Sequence, residues 1–244
     1  MSSATDLTGR ILRHERAIVG FGIALLVALS WAFLASGAGM GDDMGMPAMQ
    51  PPLSALVAMW WLMMVAMMLP SAAPAVLLYG RVREMRGGDA AIAQSWVFLA
   101  GYLGVWLLFS IMAATAQSLL TGAAMALRDP RAASTVLILA GLYQLSPLKS
   151  ACLRQCRSPA QFLSRHWSPG VAGAIRLGML HGAYCVGCCW LLMALLFVVG
   201  VMNFAWIAAL TLIVGIEKLA PRGDLFGRAA GIGLIAWGLA RLFA

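Results

Sequence analysis

The chain has 244 residues, of which 62% are hydrophobic and 11% charged, and a formal net charge of +8 with a mean hydropathy of +0.87. Soluble domains carry roughly 25% charged residues, so this composition excludes a water-soluble globule and predicts an all-α, polytopic membrane helix bundle whose first partner is the lipid bilayer. The basic excess would suggest nucleic acid in a soluble protein, but no aromatic-interleaved basic motif is present, and no nucleic acid is expected as a partner.

Apolar runs lie near 17–37, 54–79, 95–120, 132–148, 178–203, 204–220 and 225–243. Most approach the roughly 20 residues that cross a hydrocarbon core, which predicts about seven transmembrane helices in a single integral membrane domain, 1–244. The first run is longer than the roughly 7–15 apolar residues of a signal sequence and reads as a retained helix. Arg and Lys cluster before the first run (Arg10, Arg13, Arg16), after the second (Arg81, Arg83, Arg86), after the fourth (Lys149, Arg154, Arg157, Arg165) and around the turn between the last two (Lys218, Arg222, Arg228). Basic loops face the cytoplasm, so this alternation predicts a cytoplasmic N-terminus, with 1–16 as a cytoplasmic segment.

In chain order, the first span reads as an anchor. The outer loop after it holds Met40, Asp42, Asp43, Met44, Met46 and Met49; soft thioethers suit Cu(I), and a flexible Gly/Pro loop explains the same residues. The second span places Met59, Met63 and Met67 on one face, a stripe that can pass a soft cation or fill core gaps. Pro70 and Pro74 should kink its inner half, with Ser71 and neighbouring helices satisfying the freed carbonyls. The third span, with Tyr102 and Gln117, reads as scaffold. Beyond the fourth span, Cys152 and Cys156 stand one helical turn apart, as a metal clip, a redox pair or two ordinary reduced thiols.

From Gly170 to Asn203 a single helix would run to about 51 Å against a core of about 30 Å, so it must tilt, break or begin at the interface. Its first half, with Gly170, Gly173, Gly178, Gly182 and Gly187, is the natural place for a break or for close helix packing. The same run holds His181, Cys185, Cys188 and Cys189. At about 100° per residue, taking His181 as zero, the cysteines fall near about +40°, −20° and +80°, one imidazole and three thiols on one face. Thiolate and imidazole are ligands of Cu(I), Zn(II) and related ions. One rigid helix does not bring four ligands to a point, so other helices must contribute. The Met202-Asn203-Phe204 turn predicts an antiparallel hairpin in which Cys189 and Glu217, equidistant from Asn203, lie level. A carboxylate in an apolar run is costly unless paired, which makes Glu217 either a partner of the thiol face or part of a salt bridge with Lys218 or Arg222.

The metal ligands expected are therefore His181, Cys185, Cys188, Cys189, Glu217 and Cys156, holding a transition metal, copper or zinc. Two other readings remain open: a membrane thiol–disulfide carrier using Cys185-Val-Gly-Cys188, and a structural subunit of a membrane complex in which the cysteines pack. No Walker motif, nucleotide fingerprint or hydrolase signature occurs.

Met59-Trp60, Ala66-Met-Met-Leu-Pro70-Ser71, Pro147-Leu-Lys149, Cys156-Arg157-Ser-Pro159, the His181-Gly-Ala-Tyr184-Cys185-Val-Gly-Cys188-Cys189-Trp190 segment, Met202-Asn203 and Glu217-Lys218-Leu-Ala-Pro221 together form a pattern covering most of the chain. It resembles a bacterial family of uncharacterised proteins described as predicted metal-binding integral membrane proteins. That resemblance implies a multi-pass protein of the bacterial inner membrane that binds a metal ion. Copper transport or insertion is the purpose expected, with a metal chaperone or a membrane complex as partner.

Overall fold

The computed structural model describes residues 2–36, 51–86, 90–120, 126–127 and 129–243, with 2–16 described by their backbone. The Met-rich segment 40–49 lies outside the described residues. The described elements are all helical: α1 (Ser2–Ala35), α2 (Leu53–Met85), α3 (Ala91–Leu120), α4 (Pro130–Gln144), α5 (Pro147–Arg157), α6 (Pro159–His166), α7 (Gly170–Ala194), α8 (Leu196–Val199), α9 (Phe204–Leu219) and α10 (Gly223–Phe243). Among them 5 helical segments are long and apolar enough to cross a membrane, and up to 6 if α4 and α5, bent by 63° at their junction, count as one broken span. The architecture is compatible with a multi-pass membrane protein.

Two of the seven expected spans differ in form. The fourth breaks at Leu145–Ser146 because Pro147 disfavours helical geometry at the residue before it, while Ser146 caps the new helix by accepting from the Lys149 amide at 3.2 Å. The bend carries Lys149 into the interior, where it is 2% exposed. The sixth, α9, has 16 residues and is about 24 Å long, less than the roughly 30 Å of a hydrocarbon core.

Helix α2 is the centre of the bundle, buried on nearly every face. Trp60, Met63, Met64, Met67, Met68 and Leu69 are all at most 1% exposed, as expected for a helix apolar all round. Both prolines lie inside this one helix. Pro70 has no amide for the Ala66 carbonyl, and the Trp31 indole of α1 donates to that oxygen at 3.2 Å. The anchor helix thus repairs the defect in the central one. Ser71 Oγ donates instead to the Met68 carbonyl at 2.8 Å, which neither proline frees, so the local repair expected of Ser71 is not made at that oxygen.

The glycine-rich start of α7 serves packing, not a break. An added Cβ on Gly178 would collide with the Phe98 carbonyl of α3, and one on Gly101 would stand 2.5 Å from the Ile175 carbonyl, so the two backbones touch. With lipid as apolar as any side chain, such close approach is what holds membrane helices together. Gly178→Leu is expected to separate α3 from α7 and leave a chain that elutes as aggregate on size exclusion in detergent. A monodisperse Gly178→Leu protein would contradict this packing. The run interrupts instead at its far end, at Leu195, followed by α8 and a turn at Gly200, whose φ of 116° favours glycine. Asn203 then caps α9 by accepting from the Trp206 amide at 3.0 Å. This connection is longer than the tight hairpin expected, and α9 packs chiefly on α2 and α10 rather than on α7.

Candidate metal centre

Helix α7 positions Cys185, Cys188 and Cys189 on its inward face, each 1% exposed. Cys188 and Cys189 point their thiols back along the helix to the Cys185 carbonyl, with Sγ–O distances of 3.1 and 2.9 Å. Such hydrogen bonds to the preceding turn are the ordinary resting place of a short polar side chain in an apolar helix. They are weak, so turning either sulfur toward an ion gives up little.

Cys185 is the hub. Lys218 Nζ of α9 donates to its Sγ at 2.9 Å, and the Tyr102 hydroxyl of α3 lies 3.0 Å from the same sulfur. Lys218 also donates to Ser71 Oγ of α2 at 3.2 Å, and Tyr102 to the Met68 carbonyl at 3.3 Å. The α2 wall adds a further sulfur, the Met68 thioether 3.8 Å from Cys189 Sγ. From α5, the Cys156 thiol lies beside Cys185 and Cys188. Cys152, one turn earlier, lies against Gly187, where an added Cβ would stand 3.0 Å from its sulfur. The five cysteines of the chain therefore share one neighbourhood between α5 and α7.

His181, one turn before Cys185, is 3% exposed within a cage of rings, its own centroid 5.2 Å from Phe162, 5.8 Å from Tyr102 and 6.1 Å from Phe98. Its Nδ1 is buried and has no hydrogen-bond partner among the described residues. Buried polar atoms are almost always satisfied, so an orphaned imidazole nitrogen one turn from the thiols is a group with unused bonding capacity. Glu217 is engaged elsewhere: its two oxygens accept from Lys149 Nζ at 2.5 Å and Gln144 Nε2 at 2.5 Å, and Lys149 also bonds Gln144 Oε1. Of the six expected ligands, Cys156, Cys185 and Cys188 are thus brought together with Cys189 adjoining, His181 stands one turn away, and Glu217 belongs to a separate buried triad.

Sequence reasoning passed over three residues of this centre. Lys218 entered as a mate for Glu217 and as one of a basic group flanking a span, Tyr102 as scaffold, and Met68 as part of a Met-rich helix. The available signal was the hairpin count itself: stepping from Glu217 to Lys218 turns the helix by about 100° and exchanges one face for another.

No group of three or more His, Cys, Asp or Glu side chains that could hold a metal ion occurs among the described residues. A closed tetrahedral cage of the structural zinc kind is therefore not preformed. The donor chemistry that is present, clustered thiols with a thioether and an unpartnered imidazole, suits a soft ion of low coordination number.

Helices of membrane-spanning length around a buried, sulfur-rich centre are compatible with a multi-pass membrane protein. Residues 57–241 match the PpoB2 family, described as copper chaperone, and the chain belongs to that family. No curated protein and no solved structure matches the chain.

Proposed function

We propose that this is a seven-helix protein of the bacterial inner membrane, with a cytoplasmic N-terminus, that takes up copper as Cu(I) at Cys185, Cys188, Cys189 and Cys156 and passes it on. His181 and Met68 are the further donors within reach of that set. The observation that carries this reading is the convergence of the thiols of α5 and α7 with the Met68 thioether in a buried site. Family membership supplies the copper. Transfer by ligand exchange, sulfur to sulfur, suits such a site, because Cys188 and Cys189 are held only by weak hydrogen bonds to the Cys185 carbonyl and the ion needs few donors at once. The recipient is a metal chaperone or a client membrane complex.

Elemental analysis of the purified chain after Cu(I) loading under reducing conditions tests this. Wild type is expected to retain copper in near-stoichiometric amount and Cys188→Ala to lose most of it. Copper-free wild type, together with alkylation of Cys185, Cys188 and Cys189 that ignores copper, would remove the reading.

One observation favours a second role. Cys156 of α5 lies beside Cys185 and Cys188 of α7, all of them free thiols, and a thiol–disulfide carrier would draw its pair from such a cross-helix set. That role predicts a reversible two-proton mass loss in the oxidised chain and indifference to metals.

A further inference from the structure

Among the described residues, no carboxylate pairs with the Lys218 ammonium. It is 6% exposed, and its neighbour Glu217 is committed to Lys149 and Gln144. Among the described residues its hydrogen-bond partners are Cys185 Sγ and Ser71 Oγ, a sulfur and a neutral hydroxyl. A buried ammonium without an anion is costly, so Lys218 marks the place where negative charge is to be held.

We infer that Lys218 sets the valence of the ion this site accepts, selecting a monovalent soft cation over a divalent one. The inference rests on the copper reading above. Two thiolates, one monovalent cation and the ammonium sum to zero charge. The same two thiolates around a divalent cation leave the ammonium uncompensated in a dry interior. Recruiting a further thiolate from Cys188, Cys189 or Cys156 offsets part of that penalty, but an ammonium 2.9 Å from Cys185 Sγ still repels a divalent ion held at that sulfur about twice as strongly as a monovalent one. A soft monovalent ion needs only the sulfurs already beside Cys185. Tyr102 does not replace the charge, since a hydroxyl orients a dipole at the sulfur and adds none. Lys218 is therefore a specificity residue that touches a ligand without being one.

The test loads the full-length, detergent-purified chain with Ag(I) and Cd(II) in competition and quantifies both bound metals. Wild type is expected to prefer Ag(I). Lys218→Gln keeps hydrogen-bond donors for Ser71 and Cys185 but carries no charge, and its Ag(I)-to-Cd(II) ratio is expected to fall by at least about tenfold, a conservative figure for removing a charge in contact with the sulfur. Lys218→Arg keeps the charge and is expected to hold the wild-type ratio. An unchanged ratio in Lys218→Gln overturns the inference, as does a Lys218→Arg chain that loses selectivity to the same extent. A wild type that takes Cd(II) as readily as Ag(I) overturns it without needing any variant to fold. Binding of neither ion by wild type fails the copper reading itself, whereas tight Ag(I) binding with a ratio insensitive to the charge at 218 fails the valence inference alone.

Discussion

Cys185→Ser is expected to weaken Cu(I) binding by on the order of hundredfold or more, at least the loss usual when even an outer partner of a metal ligand is removed. The substitution isolates the sulfur. Serine keeps a small polar group within reach of Lys218 and Tyr102, whose Nζ and hydroxyl oxygen lie 2.9 and 3.0 Å from Cys185 Sγ, so the surrounding hydrogen bonds survive in altered form. The Cys185 carbonyl, which accepts from Cys188 and Cys189, is untouched. What is lost is a soft ligand for a soft ion, replaced by a hard oxygen that Cu(I) does not favour. Competition against a colorimetric Cu(I) chelator reads the change, and the melting temperature of the apo protein in detergent reports whether the fold is intact. Wild-type affinity in a folded Cys185→Ser chain would place the copper site elsewhere in the molecule.

The second large effect concerns the buried triad beside the centre. Lys149→Met is expected to destabilise the protein by about 3–5 kcal/mol, because it leaves the Glu217 carboxylate charged, buried and unpaired. Both partners are nearly inaccessible, with side-chain exposures of 3% and 2%, and Gln144 can satisfy only part of the lost bonding. The double variant Lys149→Met/Glu217→Met is expected to regain most of that loss, since two apolar side chains of similar length need no compensation in an apolar surrounding. Thermal unfolding of the wild type, the two single variants and the double variant in one detergent closes the cycle. Additive losses in the double variant would mean that the pair is not energetically coupled. The triad joins α4, α5 and α9, and Gln144 also reaches the Gly227 carbonyl of α10 at 3.5 Å, so its role is to hold those helices where the Pro147 bend leaves the chain discontinuous.

This triad also shows how far the residues alone could lead. A carboxylate in an apolar run had to have a partner, and that much was legible. The candidates nearest in sequence were Lys218 and Arg222, whereas the partner is Lys149, 68 positions away on a different helix. Helical periodicity orders residues along and around one helix; it says nothing about which helix packs against which face. The thiol face followed the same rule. That Cys185, Cys188 and Cys189 share one side of α7 comes from about 100° per residue, and they do lie buried together. That Cys156, Lys218, Tyr102 and Met68 complete their surroundings comes from how α2, α3, α5 and α9 pack on α7.

The amino-acid sequence by itself determined the all-helical architecture, the positions of most long apolar helices and the shared thiol face of α7, since each is written in local composition and period. It also determined that the glycines of α7 mark either a break or a contact. Tertiary structure decided in favour of contact, because Gly178 meets the α3 backbone, and moved the break to Leu195. It also decided which ionised residue serves which site. Glu217 and Lys218 are neighbours in the chain, yet their side chains leave α9 on different faces. One closes a structural triad with Lys149, and the other brings its charge to Cys185. No local pattern separates those two roles, because the separation is made by the helices that happen to stand on either side.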